Sequence, residues 1–250
     1  MLFERQVSNV NLNSNVNLSS DEDTNSAASS SLACPTEKKL RNACYCEENV
    51  WRLAYRRLFG STGDVGREAS KENEQYYVVF VSNEEKCCPM LYQVASEHPL
   101  KPCFWDYHVI LILSRKRMKK GKQVMDATVY DMDSNLKYPS SLEEYLNNTF
   151  DFKFSDHEEA IKFAPLFRVV RAEKYIEHFH SDRMHMMKDG KWMATPPKYD
   201  CIKTPNMKKN KSGFFSNLFD YVSMKRNQKS SSSLGEVMTL EQLKKRFGIQ

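Results

Sequence analysis

Phe104-Trp-Asp-Tyr-His-Val-Ile-Leu-Ile-Leu113 is the stretch on which the fold turns. Its second half is apolar at both parities, the pattern of a strand covered on both faces. β-branched and aromatic residues place it in a sheet, and a sheet covered twice needs helical layers around it. Tyr76 to Val81 (YYVVFV) reads as a second strand. Gln123 to Met132 (QVMDATVYDM) reads as a third, the antiparallel partner of 104–113 across a basic connection. Helical signals lie on either side. Glu47 to Leu58 carries Val50, Trp51, Ala54 and Leu58 at helical spacing, and Ser141-Leu-Glu-Glu144 is a capping box opening a helix to about Asn148. Phe167 to Arg171 reads as a strand and Glu173 to Phe179 as a helix. Glu236 to Met238 is a last strand, followed by a helix capped by Thr239 with Gln242 and stopped at Gly248. The expectation is one layered α/β or α+β domain over 41–250.

The rest of the chain is of another character. Residues 1–40 are rich in Ser and Asn, with almost no aromatics, and bury too little apolar surface to offset their ordering entropy; a disordered tail is expected. A second polar, Lys/Ser-rich stretch covers 225–233. Of 250 residues, 12% are aromatic and 40% hydrophobic, which excludes a wholly disordered or collagen-like chain. The longest apolar run, His108 to Leu113, is far short of the ~20 residues of a membrane helix, and no signal peptide is expected at the start. Seven cysteines without a secretory signal suggest free thiols in a reducing compartment.

The net charge of +5 is unevenly placed. Arg115 to Lys122 holds six basic residues and no acid, read as a basic loop. Lys203 to Lys229 holds seven against the single acid Asp220. This surplus exceeds the net charge, so the remaining chain is acidic. Solvated loops are the plain reading, and a polyanion-binding patch is the rival.

Three segments carry chemistry. In Cys44-Tyr-Cys46-Glu-Glu-Asn-Val-Trp51, the apolar stripe runs back from Leu58 through Ala54 and Val50 to Cys46. Cys46 therefore sits in the first helical turn facing inward, where N–H groups and the helix dipole favour a thiolate. Trp105-Asp-Tyr-His108 heads a buried strand, and Tyr130-Asp131-Met-Asp133 ends its partner. A hairpin symmetric about 118 and 119 sets position 108 opposite 129, with Asp131 as a diagonal neighbour of His108. A thiol, an imidazole and a carboxylate in that order form the nucleophile, base and orienter of cysteine acyl-transfer enzymes. Each also has a plain structural reading, as a small buried residue or a satisfied core histidine. Cys44-x-Cys46, Cys87-Cys88 and His178-x-His180 lack zinc-site spacing, and no metal or other cofactor is expected.

These segments resemble the protein N-terminal glutamine amidohydrolase family. Val79-Phe-Val-Ser-Asn-Glu84, Ser181-Asp-Arg-Met-His-Met186, Pro196-Pro-Lys-Tyr199 and the ending Thr239 to Gly248 extend the likeness, in order, from about residue 42 to 248. Three features depart from it: a longer, more basic segment between His108 and Asp131, Leu91 in place of an expected Trp, and the added tail. The resemblance implies a three-layer α-β-α sandwich related to transglutaminase and papain-like cysteine enzymes, with a triad of Cys46, His108 and Asp131. It further implies a cytoplasmic and nuclear monomer that deamidates N-terminal Gln to Glu on proteins and peptides, feeding arginylation in the N-degron pathway. No nucleic-acid or membrane partner is implied. Reading a free α-ammonium calls for nearby acids, and Glu48, Asp106 and Asp133 are the closest in sequence. Other readings are a transglutaminase- or protease-like acyl transferase with the same triad, and an inert interaction module that uses its basic loops.

Overall fold

The computed structural model describes residues 37–60, 73–204, 207, 215–225 and 234–249. The tail through residue 36 and nearly all of the 225–233 stretch lie outside the described residues. A 3-10 turn at Lys38–Leu40 precedes α1 (Cys46–Phe59). Then come β1 (Glu74–Ser82), β2 (Cys88–Met90), β3 (Cys103–Trp105), β4 (His108–Lys119), β5 (Lys122–Tyr130), β6 (Ser140–Ser141), α2 (Leu142–Thr149), α3 (His157–Lys162), β7 (Leu166–Arg171) and α4 (Ala172–His178). A second 3-10 turn (Met184–Met186) leads to β8 (Met187–Lys188), β9 (Lys191–Trp192), α5 (Leu218–Val222), β10 (Glu236–Thr239) and α6 (Leu240–Arg246).

Six strands form one sheet in the order β10-β7-β1-β4-β5-β6, every pairing antiparallel. The two central strands show why both parities are apolar. Val78 and Phe80 of β1, with Val109, Leu111 and Leu113 of β4, join a core that includes residues of α1, α4 and α5. Val79, Val81, Ile110 and Ile112 point the other way, into a core shared with α2 and α6. Helices thus cover both faces of a mixed α and β fold. Local chemistry starts these helices where the sequence places them. Ser141 accepts from the Glu144 N–H at α2, and Thr239 with Gln242 forms a complete capping box at α6.

Three expectations change. The 104–113 strand is two strands: β3 pairs with β2 in a separate two-stranded sheet, and the chain crosses into the main sheet at Asp106-Tyr107. The Asp106 side chain accepts from the Tyr107 N–H, and its carbonyl accepts from Ser82 Oγ, so the break satisfies its own polar groups. Next, the basic segment 115–122 is no loop. Arg115 to Lys119 continue β4, Lys122 opens β5, and only Lys120-Gly121 turn the chain, both at positive φ. Such two-residue turns match the twist of a hairpin, and long basic side chains sit easily on strands that extend past β1, whose pairing ends at Glu74 with Arg115. Finally, the packed chain begins before residue 40: Leu40 is in the core and the buried Glu37 pairs with Arg57.

Among the described residues no helix is long and apolar enough to cross a membrane. Gly235 enters β10 at φ +68°, and a Cβ there would stand 2.1 Å from the Val169 carbonyl oxygen. Gly235→Ala should therefore destabilise the fold by more than the ~1–2 kcal/mol of left-handed strain alone, read as a lower midpoint in urea unfolding. An unchanged midpoint would show that β10 does not lock the sheet edge.

Candidate active site

Cys46 is the first residue of α1. Cys44, at φ +66°, turns the chain so that Tyr45 is buried and Cys46 begins the helix. Val50 and Ala54 lie on the buried face with it, as the stripe requires. No side chain caps this helix. Cys46, Cys44, Trp105, Asp106, Tyr107 and Asp133 contribute to the wall of a cavity of about 400 Å³.

His108 opens β4, opposite Val81 of β1, and is fully buried. Its Nε2 lies 3.0 Å from Asp131 Oδ1. The register that brings them together differs from the expected one. β4 and β5 pair from Lys119 with Lys122 back to Leu111 with Tyr130. Continued by three residues, that register sets His108 opposite Asp133, with Asp131 still its diagonal neighbour. The displacement is an even number of residues, so it preserves the face on which Asp131 points. Asp131 is held further by the Asp133 N–H at 2.9 Å and the Tyr145 hydroxyl at 2.8 Å. Trp105 stacks on the imidazole at 5.4 Å between ring centroids, and Gln93 accepts from the Trp105 indole N–H.

Burial favours the neutral form of both partners, but the pair overcomes it. Burial and then the His108 charge act on Asp131 in opposite directions; with its three hydrogen bonds the carboxyl ends below the usual carboxylate range. Burial lowers His108, and the charge and hydrogen bond of Asp131, with Asp133, raise it above its ordinary value. Nδ1 of His108 is buried and has no hydrogen-bond partner.

The thiol departs from expectation. Burial first, then the charges of Glu47 and Asp133, push Cys46 well above an ordinary cysteine, against a lowering hydrogen bond from the Val109 backbone. A helix start favours thiolate only where the sulfur is solvated or paired with a cation, and here it is neither. Cys46 rests as a thiol whose proton a base must take.

Of the proposed substrate-reading acids, Asp106 and Asp133 line the cavity. Asp133 is paired with Arg41 at 2.6 Å. Glu48 does not belong with them: it is fully buried, and Arg183 binds both its oxygens at 2.9 and 2.8 Å. Two residues along a helix is about 200° of rotation, so Glu48 points away from the face of Cys46. Three groups escaped the sequence reading. Tyr145 carries an ordinary core spacing that conceals its hydroxyl. Glu47 is completely buried beside the thiol, with Oε2 3.7 Å from Cys46 Sγ and 3.1 Å from the Tyr107 hydroxyl. His185, in the turn 184–186, lines the cavity.

The six described cysteines are free thiols. Ligating atoms of His108, Asp131 and Asp133 lie within 4.8 Å of one another. They already bond one another and Arg41, so the set resembles a closed charge network more than an open coordination shell. What the arrangement can do is hold one imidazole nitrogen on a carboxylate and leave the other for proton transfer.

A family model for N-terminal glutamine amidase matches residues 41–247. The chain is 34% identical over 220 residues to the protein N-terminal glutamine amidohydrolase of Homo sapiens, covering 86% of this chain and 90% of that one. The Bos taurus protein of the same name is 36% identical over 188 residues, 73% of this chain and 79% of the other. That of Arabidopsis thaliana is 35% identical over 196 residues, with 78% and 80% covered. With the match spanning both the helix of Cys46 and the strands of His108 and Asp131, the chain belongs to the N-terminal glutamine amidase family.

Proposed function

We propose that this protein hydrolyses the side-chain amide of an N-terminal glutamine, giving glutamate and ammonia through a thioester on Cys46. The observation that carries the reading is the division of labour on His108: Nε2 is taken by Asp131 and Nδ1 is left buried and unpartnered. The backbone of Val109, the next residue, acts on the Cys46 thiol and lowers it. Family membership supports the substrate, a protein or peptide with a free N-terminal Gln.

In this reaction His108 Nδ1 takes the thiol proton as sulfur bonds to the amide carbon. The Cys46 backbone N–H, at the uncapped start of α1, donates to the developing oxyanion. The imidazolium returns its proton to the amide nitrogen, the C–N bond breaks, and ammonia leaves a glutamyl thioester. Water attacks next, His108 takes its proton and gives it to the departing sulfur, and the glutamate product is released. Asp131 fixes the imidazole tautomer and stays ionised throughout. A thiol raised in this way gains from a base that takes its proton as sulfur attacks.

We place the fold with the α-β-α cores of transglutaminase and papain-like enzymes, on the helix-start thiol and strand-borne imidazole. A cytoplasmic and nuclear monomer that supplies N-terminal Glu for arginylation fits this chemistry. Asp106 and Asp133 form an acidic rim for an incoming ammonium.

Ammonia release from matched peptides tests the activity. Free N-terminal Gln should react, whereas acetylated Gln, N-terminal Asn and internal Gln should not. A one-dalton gain identifies deamidation, and cross-linked or cleaved peptide would point to another acyl transfer. Cys46→Ala should abolish the reaction, and wild-type turnover in that variant would remove Cys46 from its role. Asp131→Asn should lower kcat by on the order of 10³-fold, because the imidazole loses its orienting anion.

Stability should follow the same pair. The contribution of Asp131, held low, is present above its ordinary value near 3.8 and is lost as pH falls through the lower folded value. The contribution of His108, held high, is complete below 6.5 and is lost as pH rises through the raised folded value. The difference in urea midpoint between wild type and Asp131→Asn should thus be greatest between those two values and shrink above neutrality. A difference flat from pH 5 to 9 would contradict the coupling.

A further inference from the structure

Glu47 and His185 stand beside the nucleophile and take no part in the steps above. Glu47 Oε1 is buried and makes no hydrogen bond, and so is Nδ1 of His185. His185 Nε2 lies 3.7 Å from that same Oε1 and 3.5 Å from the Tyr107 hydroxyl. Its side chain is 9% exposed and forms part of the cavity wall that Cys46 shares. Two unpartnered polar atoms in one buried cluster cost free energy that a missing cationic donor would return.

We propose that Glu47 and His185 together read the free α-ammonium of the substrate, which makes them the specificity-determining residues for an N-terminal position. This rests on the function proposed above. A neutral His185 donates from Nε2 to Glu47 Oε1 and accepts an ammonium proton at Nδ1, while Glu47 supplies the counter-charge behind it. Both unpartnered atoms then find partners in one event. Four bonds separate the α-nitrogen of glutamine from its amide carbon, about 5 Å when extended, so the group that reads the amine must stand close to the nucleophile; Glu47 does, with Oε2 3.7 Å from Cys46 Sγ, and His185 shares the cavity wall with Cys46. An acetylated or internal glutamine has no cation there and leaves the cluster unpaired.

The electrostatics agree with this geometry. Burial lowers His185, so the ring is neutral and able to accept. Burial pushes Glu47 up to about 8 with no cation beside it, so the arrival of an ammonium is what favours its ionised form. The other groups facing Glu47 are Tyr45 just before α1, Cys46 and Glu48 of α1, the last neutralised by Arg183, with Tyr107 before β4 and Tyr175 of α4. None of them is an unpaired cation. Where Glu47 is ionised its charge raises the Cys46 thiol, and a bound ammonium offsets that charge.

The test uses the full chain, in wild-type, Glu47→Gln and His185→Gln forms. Ammonia release by wild type from a Gln-initiated peptide establishes the underlying activity on its own. In both variants kcat/KM for that peptide should fall about 100-fold, mainly through KM, and the preference over the acetylated peptide should collapse. The pH midpoint for alkylation of Cys46 by iodoacetamide should move down in Glu47→Gln. His185→Gln, at the cavity wall, guards against misfolding of the first variant. Preserved preference for the free amine in both variants overturns the proposal. So does lost turnover with an unmoved alkylation profile and an unchanged preference, which is the mark of a structural role.

Discussion

The register of the β4–β5 hairpin is the constraint on which the site depends. Lys120 and Gly121 take up left-handed conformations in a two-residue turn, and every pairing from Lys119 with Lys122 to Leu111 with Tyr130 follows from it. Asp131, one residue beyond β5, then points at the imidazole of His108. A slip of one residue would turn its carboxylate to the opposite face, among the side chains of the α1 core. The basic residues that distinguish this hairpin lie on its far end, past the reach of β1, where their charge does not disturb the pair.

Three of the buried acids around that hairpin have different partners, and these give them different work. Asp131 accepts from three donors and stays ionised; Glu48 is neutralised by both arms of Arg183 and ties α1 to the segment before the 184–186 turn. Glu47 has Tyr107 and a distant thiol, and burial leaves it close to neutral charge around physiological pH. A fully paired buried acid fixes shape, whereas an under-paired one responds to what arrives next to it. The nucleophile sits beside the responsive one.

Much of this was legible in the residues. The caps at Ser141 and Thr239 are local chemistry, set by side chains within three residues of the backbone they satisfy. The stripe from Leu58 to Cys46 fixes the inward face of α1, since helical rotation is uniform. The Asp106-Tyr107 break was not legible, because β3 turns aside to pair with Cys88–Met90, a partner its own sequence does not announce. Nor was the fate of residues 115–119: lysine and arginine read as loop by composition, yet strands past a sheet edge accept them on both faces.

The sequence by itself determined the principal helices and central strands, the face of each that is buried, and that a thiol, an imidazole and a carboxylate sit at element ends. Those properties depend on periodicity, capping and turn chemistry, all short-range. Only the tertiary structure decided that Tyr145 closes the carboxylate, that Glu48 faces Arg183 and that Glu47 and His185 meet at the cavity. It also decided the state of Cys46, because a thiol's ionisation depends on the solvent and charge around it. Burial from several distant segments outweighs the helix end on which the sulfur stands.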